Sequence, residues 1–248
     1  MTAFFEQPST RTALSDGGAV VWQSTDAISI LSPSANDMFV VSELGNPANS
    51  ADFKGNLTSA SIWYALYPYD ANATLSSNVV SVPIKASQSG AFADANVAAS
   101  KADGYNLSFQ NATSVFKFKI TDENVKSVKL SAPGVGGTLN ITLGDSISST
   151  LSGTATIDEI TIFDITSGTD YYITIAPKTY EDFQFSWYDG TGAELGSSSL
   201  GKSTTVSEGT IYTWGDLTEH KDIEYAESKL DIAKMIEDGV IGKVLTFR

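Results

Sequence analysis

What constrains this chain most is its punctuation. Short apolar or alternating runs recur up to about residue 217, and each is broken within a few residues by Gly, Asn, Asp, Ser or Pro. Val115-Phe116-Lys117-Phe118-Lys119-Ile120 places Phe116, Phe118 and Ile120 on one face of a strand and both lysines on the other. Tyr171-Tyr172-Ile173-Thr174-Ile175 alternates in the same way. Turn chemistry separates the runs at Asp16-Gly17-Gly18, Pro133-Gly134, Gly136-Gly137, Asp189-Gly190 and Glu208-Gly209. Many short strands with close turns and no helical periodicity predict an all-β protein built from sandwiches rather than a parallel sheet.

At 248 residues the chain suits two domains of ordinary size. Residues 87–111 are small and polar and read as a crossover or linker, so the boundary falls near Leu107. This predicts an N-terminal β-sandwich over 1–107, a second over 108–217 and a tail over 218–248. Two strands that each end at a proline, Tyr64-Ala65-Leu66-Tyr67-Pro68 and Ile173-Thr174-Ile175-Ala176-Pro177, are what two similar sandwiches in tandem would produce. In the tail, Ile223, Ala226, Leu230, Ala233 and Ile236 recur at helical spacing, with Asp222 as cap and Gly239 as stop. A final strand is predicted over 240–247, where β-branched and apolar residues concentrate.

Composition removes whole function classes. With no cysteine there is no disulfide, thiolate zinc site or thiol nucleophile. A formal net charge of -14 repels phosphate backbones and anionic membrane surfaces, so nucleic acid is not an expected partner. The lone histidine, His220, lies between Glu219 and Lys221 in a polar hinge, which is no setting for the oriented base of acyl transfer. The adjacent acids Asp122-Glu123, Asp158-Glu159 and Glu181-Asp182 read as turn and edge residues, since neighbours on a strand point to opposite faces and cannot flank one sugar. Asp16-Gly17-Gly18 and Asp70-Ala71-Asn72 are too sparse for a calcium loop. Pro133-Gly134-Val135-Gly136-Gly137 precedes a strand rather than a helix, so it reads as a hairpin turn and not a phosphate cradle. No catalytic residue, metal ligand or cofactor is therefore expected, and the chain does not read as an enzyme. Aromatic side chains offer the other chemistry, stacking against glycans. Trp63 and Tyr67 read as core, while Tyr69, Trp187 and Tyr188 are the candidate glycan contacts.

Several segments, in this order and spacing, resemble one family. They are Thr10-Arg11-Thr12-Ala13-Leu14, Trp22, Asp26-Ala27-Ile28-Ser29-Ile30, Phe53-Lys54-Gly55, residues 64–69, the step from Pro83 to Gln88, Phe109-Gln110-Asn111 leading into residues 115–120, and residues 171–177. Together they resemble the fimbrillin-like proteins, surface lipoproteins of Gram-negative gut and oral anaerobes within the type V pilin superfamily. The resemblance implies two tandem transthyretin-like β-sandwich domains and a role as a fimbrial pilin, tip or anchor subunit. It implies export to the outer-membrane surface, with the lipid-bearing cysteine upstream of Met1. Its implied partners are other fimbrial subunits and a host or bacterial surface ligand. Family pilins mature by proteolysis at a basic residue near the N-terminus, after which a strand from the next subunit fills the opened groove. The only arginines are Arg11 and Arg248, so Arg11 is the candidate processing site. The tail beyond Thr218 departs from the family pattern. A monomeric glycan-binding lipoprotein on the same scaffold is the alternative reading.

Overall fold

The computed structural model describes residues 1–5, 13–14, 20–45, 50–144 and 146–219. Arg11, the Asp16–Gly18 turn, His220 and the helix and strand expected in the tail lie outside the described residues.

In chain order the strands begin with β1 (Thr2–Phe5), β2 (Ala13–Leu14), β3 (Val20–Val21), β4 (Ala27–Ser32), β5 (Ala35–Leu44), β6 (Ser50–Lys54) and β7 (Tyr64–Tyr67). There follow β8 (Thr74–Ser76), β9 (Val79–Ile84) and β10 (Ser87–Gln88), then the helix α1 (Phe92–Ala95), then β11 (Ala98–Asp103) and β12 (Asn106–Asn111). The remainder is β13 (Ser114–Lys119), β14 (Ser127–Leu143), β15 (Ile147–Phe163), β16 (Asp170–Ile175), β17 (Thr179–Tyr180), β18 (Gln184–Tyr188), β19 (Glu194–Ser199), β20 (Thr204–Thr205) and β21 (Ile211–Asp216).

The expectation of a β protein holds, with α1 the one α-helix among the described residues. Its first unit closes into a seven-stranded barrel in the order β1-β12-β11-β7-β4-β5-β6. Period-2 alternation fills the interior: Ile28 and Ile30, Phe39, Ala51 and Phe53, Ala65 and Tyr67, Leu107 and Phe109 all pack around Trp22. Trp22 meets the rings of Phe53, Tyr67 and Phe109 edge-on, at centroid distances of 5.0, 5.3 and 5.7 Å. The second unit lays the sheet β10-β15-β14-β18-β19, extended by β9 and β8 on β14, against the sheet β16-β13-β21. Phe116, Phe118, Ile173, Ile175, Phe185 and Trp214 lie in the core between them.

Barrel and sandwich share surface. Leu31, Tyr64, Leu66 and Ala99 turn away from the barrel interior and join the second core, while Ile30, Ala65, Tyr67 and Ala98 face inward. All four residues of β7 are buried for that reason, which accounts for the unbroken apolar run at residues 64–67. Sheet membership does not divide at residue 107. Strands β8 to β10 precede it yet join β14 and β15, while β12, which contains Leu107, closes the barrel.

Two readings of the sequence are corrected. The stretch 87–111 is not a linker, because it supplies β10, α1 and the barrel strands β11 and β12. Two of its small residues, Ala98 and Ala99, are fully buried, one in each core. Residues 133–137 are not a hairpin turn but a bend inside β14, which pairs with β18 over Ser127 to Ser131 and with β9 over Gly137 to Thr142. The register slips between Ser131 and Gly136 and again between Gly137 and Leu139, as β-bulges do. A positive φ of 62° at Gly134 and close approach of Ile84 to Gly136 explain the glycines. Asp158 and Glu159 accordingly lie within β15 rather than in a turn. Asp158 accepts the Gly134 N–H at 2.7 Å, and Glu159 pairs with Lys129 at 3.2 Å.

Candidate functional site

Two places combine accessible surface with specific chemistry: the seam that closes the barrel and a cleft between barrel and sandwich.

The seam is β1. It runs parallel to β12, Thr2 opposite Asn106 through Phe5 opposite Phe109, and antiparallel to β6, Thr2 opposite Asp52 through Phe4 opposite Ser50. The Met1 ammonium donates to the Phe53 carbonyl at 2.9 Å, and the Phe53 N–H donates to the Met1 carbonyl at 2.7 Å. The Thr2 hydroxyl donates to Asp52 Oδ1 at 2.7 Å. Ala3, 0% exposed, is the seam's small plug in the core. A strand of four residues therefore closes the barrel through backbone hydrogen bonds on both sides, with Ala3 in the core and Met1 packed against it. Its departure would leave β6 and β12 as facing edges.

The cleft, about 340 Å³ in volume, lies where Tyr69, Asp70 and Lys85 meet the strap from Gln88 to Asp94 and the face of β16 at Tyr172. The Lys85 ammonium pairs with Asp70 Oδ2 at 2.9 Å while most of its side chain stays in solvent. Burial pushes the Asp70 carboxyl up, but the Asn72 N–H and the Lys85 ammonium outweigh it and hold the group below the usual carboxylate range. Asp94 accepts the Ser89 hydroxyl at 2.6 Å. Gln88 fixes the strap. Its carboxamide donates to the Thr174 carbonyl at 3.0 Å and accepts the Thr174 N–H at 2.8 Å, so it occupies the edge of β16 like a strand neighbour. Tyr172 is held edge-on by Phe92 at 5.0 Å.

Of the aromatics named from sequence, Tyr69 is half-buried and lines this cleft. Tyr188 is half-buried on β18, with the Lys129 ammonium 5.8 Å from its ring centroid. Trp187 is 0% exposed, which corrects the expectation of partial exposure beside the Asp189 turn. The reason is Gly196 on β19, directly opposite, whose missing side chain admits the indole into the sheet face. Tyr67 is core, donating its hydroxyl to the buried Asp26 at 3.1 Å. Trp63 is only half-buried and stacks on Tyr105 with centroids 6.4 Å apart and planes 18° from parallel. Tyr105 is 67% exposed. Sequence reasoning missed this pair. The available signal was an aromatic placed immediately after the Asp103-Gly104 turn, where burial is hard to achieve.

The adjacent acids serve turns or strands. Asp122 Oδ1 accepts the Asn124 N–H at 2.9 Å, and Asp182 Oδ1 accepts the Gly201 N–H at 2.7 Å. Among the described residues no cluster of His, Cys, Asp and Glu could hold a metal ion.

These features define a mostly β protein: a closed barrel packed on a two-sheet unit, with a seam strand of four residues. No family model matches the sequence, and no curated protein sequence matches it. The fold has counterparts among solved structures. A proposed cell adhesion protein from Bacteroides ovatus ATCC 8483 superposes with a TM-score of 0.55 at 13% identity, over 91% of this chain and 95% of that one. A second, from Bacteroides uniformis ATCC 8492, gives 0.52 at 15% identity, over 89% and 94%. At such identities the likeness is one of fold.

Proposed function

We propose that the protein is a structural and adhesive component of a cell-surface fimbria, a pilin, tip or anchor subunit that assembles by strand addition after N-terminal processing. The barrel and the two-sheet unit would then be its pair of transthyretin-like domains. The observation that carries this reading is the seam. A strand of four residues closes the barrel, and Arg11 follows it six positions after Phe5. Cutting after Arg11 frees the segment that contains β1, and a strand from a neighbouring subunit can then take its place between β6 and β12. The fold shared with two proposed Bacteroides adhesion proteins supports the surface setting. Other fimbrial subunits and a surface ligand are the partners this reading requires, and the outer-membrane surface is the place.

The test is to treat the folded chain with an arginine-specific protease and follow it by mass spectrometry and electron microscopy. Loss of the first eleven residues accompanied by filaments or oligomers is the expected result. An Arg11 that resists cleavage, or a cut product that stays monomeric at high concentration, counts against strand addition.

A second reading is a monomeric surface glycan-binding protein on the same scaffold. The cleft at Tyr69 and the exposed Trp63–Tyr105 stack favour it. It is an adhesive function that needs no cleavage. The cleft shares no hydrogen bond with the seam, whereas at the stack the Tyr105 carbonyl accepts the Thr2 N–H at 3.0 Å.

A further inference from the structure

We infer that the cleft between barrel and sandwich takes a short neutral saccharide, one or two sugar rings, held by Tyr69, Lys85 and Asp94. This rests on the glycan-binding reading above and narrows it to one place and one ligand class.

The volume comes first. A cleft of about 340 Å³ lies at the low end of the roughly 300–1,000 Å³ typical of small-ligand pockets. That is room for a sugar ring or two but not for a folded partner. Its position between two packed units is where such sites concentrate.

The lining selects the chemistry. A sugar presents hydroxyls that both donate and accept, together with a C–H face of low polarity. The cleft answers with an ammonium, carboxylates and tyrosines at one location. Lys85 gives Asp70 one of its three N–H bonds and keeps a largely solvated head. The Ser89 hydroxyl reaches one oxygen of Asp94, leaving acceptor capacity on a carboxylate that takes up to about four hydrogen bonds. Half-buried Tyr69 supplies a ring for the C–H face and a hydroxyl.

The same lining argues against other ligands. Two carboxylates face one ammonium, and the whole chain carries -14, so an anionic sugar or a phosphate enters against the field. An extended peptide would need free backbone groups along a strand edge. Here the N–H and carbonyl of Thr174 are already taken by the Gln88 carboxamide, and the Tyr172 N–H by the Gly90 carbonyl at 2.9 Å. Those bonds also mean that the strap is set in place before any ligand arrives, which lowers the ordering cost of binding.

The experiment is calorimetric titration of the full chain with glucose, galactose, mannose, N-acetylglucosamine and their β-linked disaccharides, with sialic acid as the anionic probe. At least one neutral sugar should bind saturably with a Kd near the millimolar range, about -4 kcal/mol. Tyr69→Ala should weaken it by about threefold to tenfold, the worth of one aromatic contact. Lys85→Met should weaken it similarly, with a thermal melt checking that the variant is folded, because Lys85 also pairs with Asp70. Trp63→Ala should bind as the parent does. Binding that survives Tyr69→Ala and Lys85→Met but is lost in Trp63→Ala overturns the cleft and leaves glycan binding standing at the barrel stack. Saturable binding of sialic acid alone overturns the ligand class. No binding by any probe overturns this inference and the glycan-binding reading together, without touching strand addition.

Discussion

Gly196 shows how one residue sets the fate of another. A Cβ there would lie 2.8 and 2.9 Å from ring carbons of Trp187, closer than real contacts allow. Gly196→Ala is therefore expected to cost about 1–3 kcal/mol, the usual price of overpacking, and to shift the urea midpoint without changing the slope. An unchanged midpoint would mean that the indole has room to move. Tyr180 carries a pH dependence. It is buried and donates its hydroxyl to the Ala176 carbonyl at 2.7 Å. Burial pushes its phenol well above the usual value near 10. An unfolded chain ionises near pH 10 and the folded one does not, so the unfolded state binds fewer protons above that pH. Stability is then whole below about pH 10 and is lost as pH rises through the folded value. Tyr180→Phe should lose about 1 kcal/mol at neutral pH from the missing hydrogen bond and show a flatter alkaline limb in thermal melts. A variant whose alkaline limb is as steep as the parent's would assign that loss elsewhere.

The instructive elements are β1 and the β14–β15 hairpin. Replacing Ala3, wholly buried in the seam, with Asp places a carboxylate in the barrel core, where an unpaired charge is costly. Ala3→Asp should loosen β1 locally. Amide exchange should quicken at Ala51 and Leu107, the residues opposite Ala3, while protection along β14 and β15 is unchanged. Uniform acceleration throughout would show that the seam is not a separable element. The hairpin marks where strand reading reaches its limit. Alternation at residues 127–130 and 139–143 was legible as two strands, and the glycines between them as a turn. They form one strand because β9 docks on the far half and takes over the hydrogen bonds that β18 gives up. A bulge and a turn use the same residues, so only the partner strands distinguish them.

For the whole molecule, what matters is that β9 comes from the first half of the chain and builds the second sheet. Residues 108–217 by themselves lack β8, β9 and β10 and the Val80, Val82 and Ile84 side chains that fill the second core. That fragment should not fold alone, and its amide NMR spectrum should stay collapsed where the full chain gives dispersed signals. A cooperatively folding fragment would show that β9 is an accessory. Among the site residues, Tyr69 was legible as a candidate glycan contact, an aromatic alternating with Trp63 and Tyr67. Lys85, Asp94 and Tyr172 were not, because they stand 16, 25 and 103 positions from Tyr69 and meet it only after barrel and sandwich pack.

By itself the sequence determined the class of structure and excluded chemistry that needs cysteine. Period-2 alternation, turn residues, absent cysteine and acidic charge are local or additive properties, and no packing arrangement can change them. Tertiary structure decided which strands close the barrel, that residues 87–111 are scaffold rather than linker, that Trp187 is hidden while Trp63 and Tyr105 show, and where a cleft opens. Those outcomes depend on which face of a strand finds a partner. Strands such as β4, β7 and β11 bury both faces against cores drawn from distant parts of the chain, and a residue's neighbours along the sequence carry no record of that.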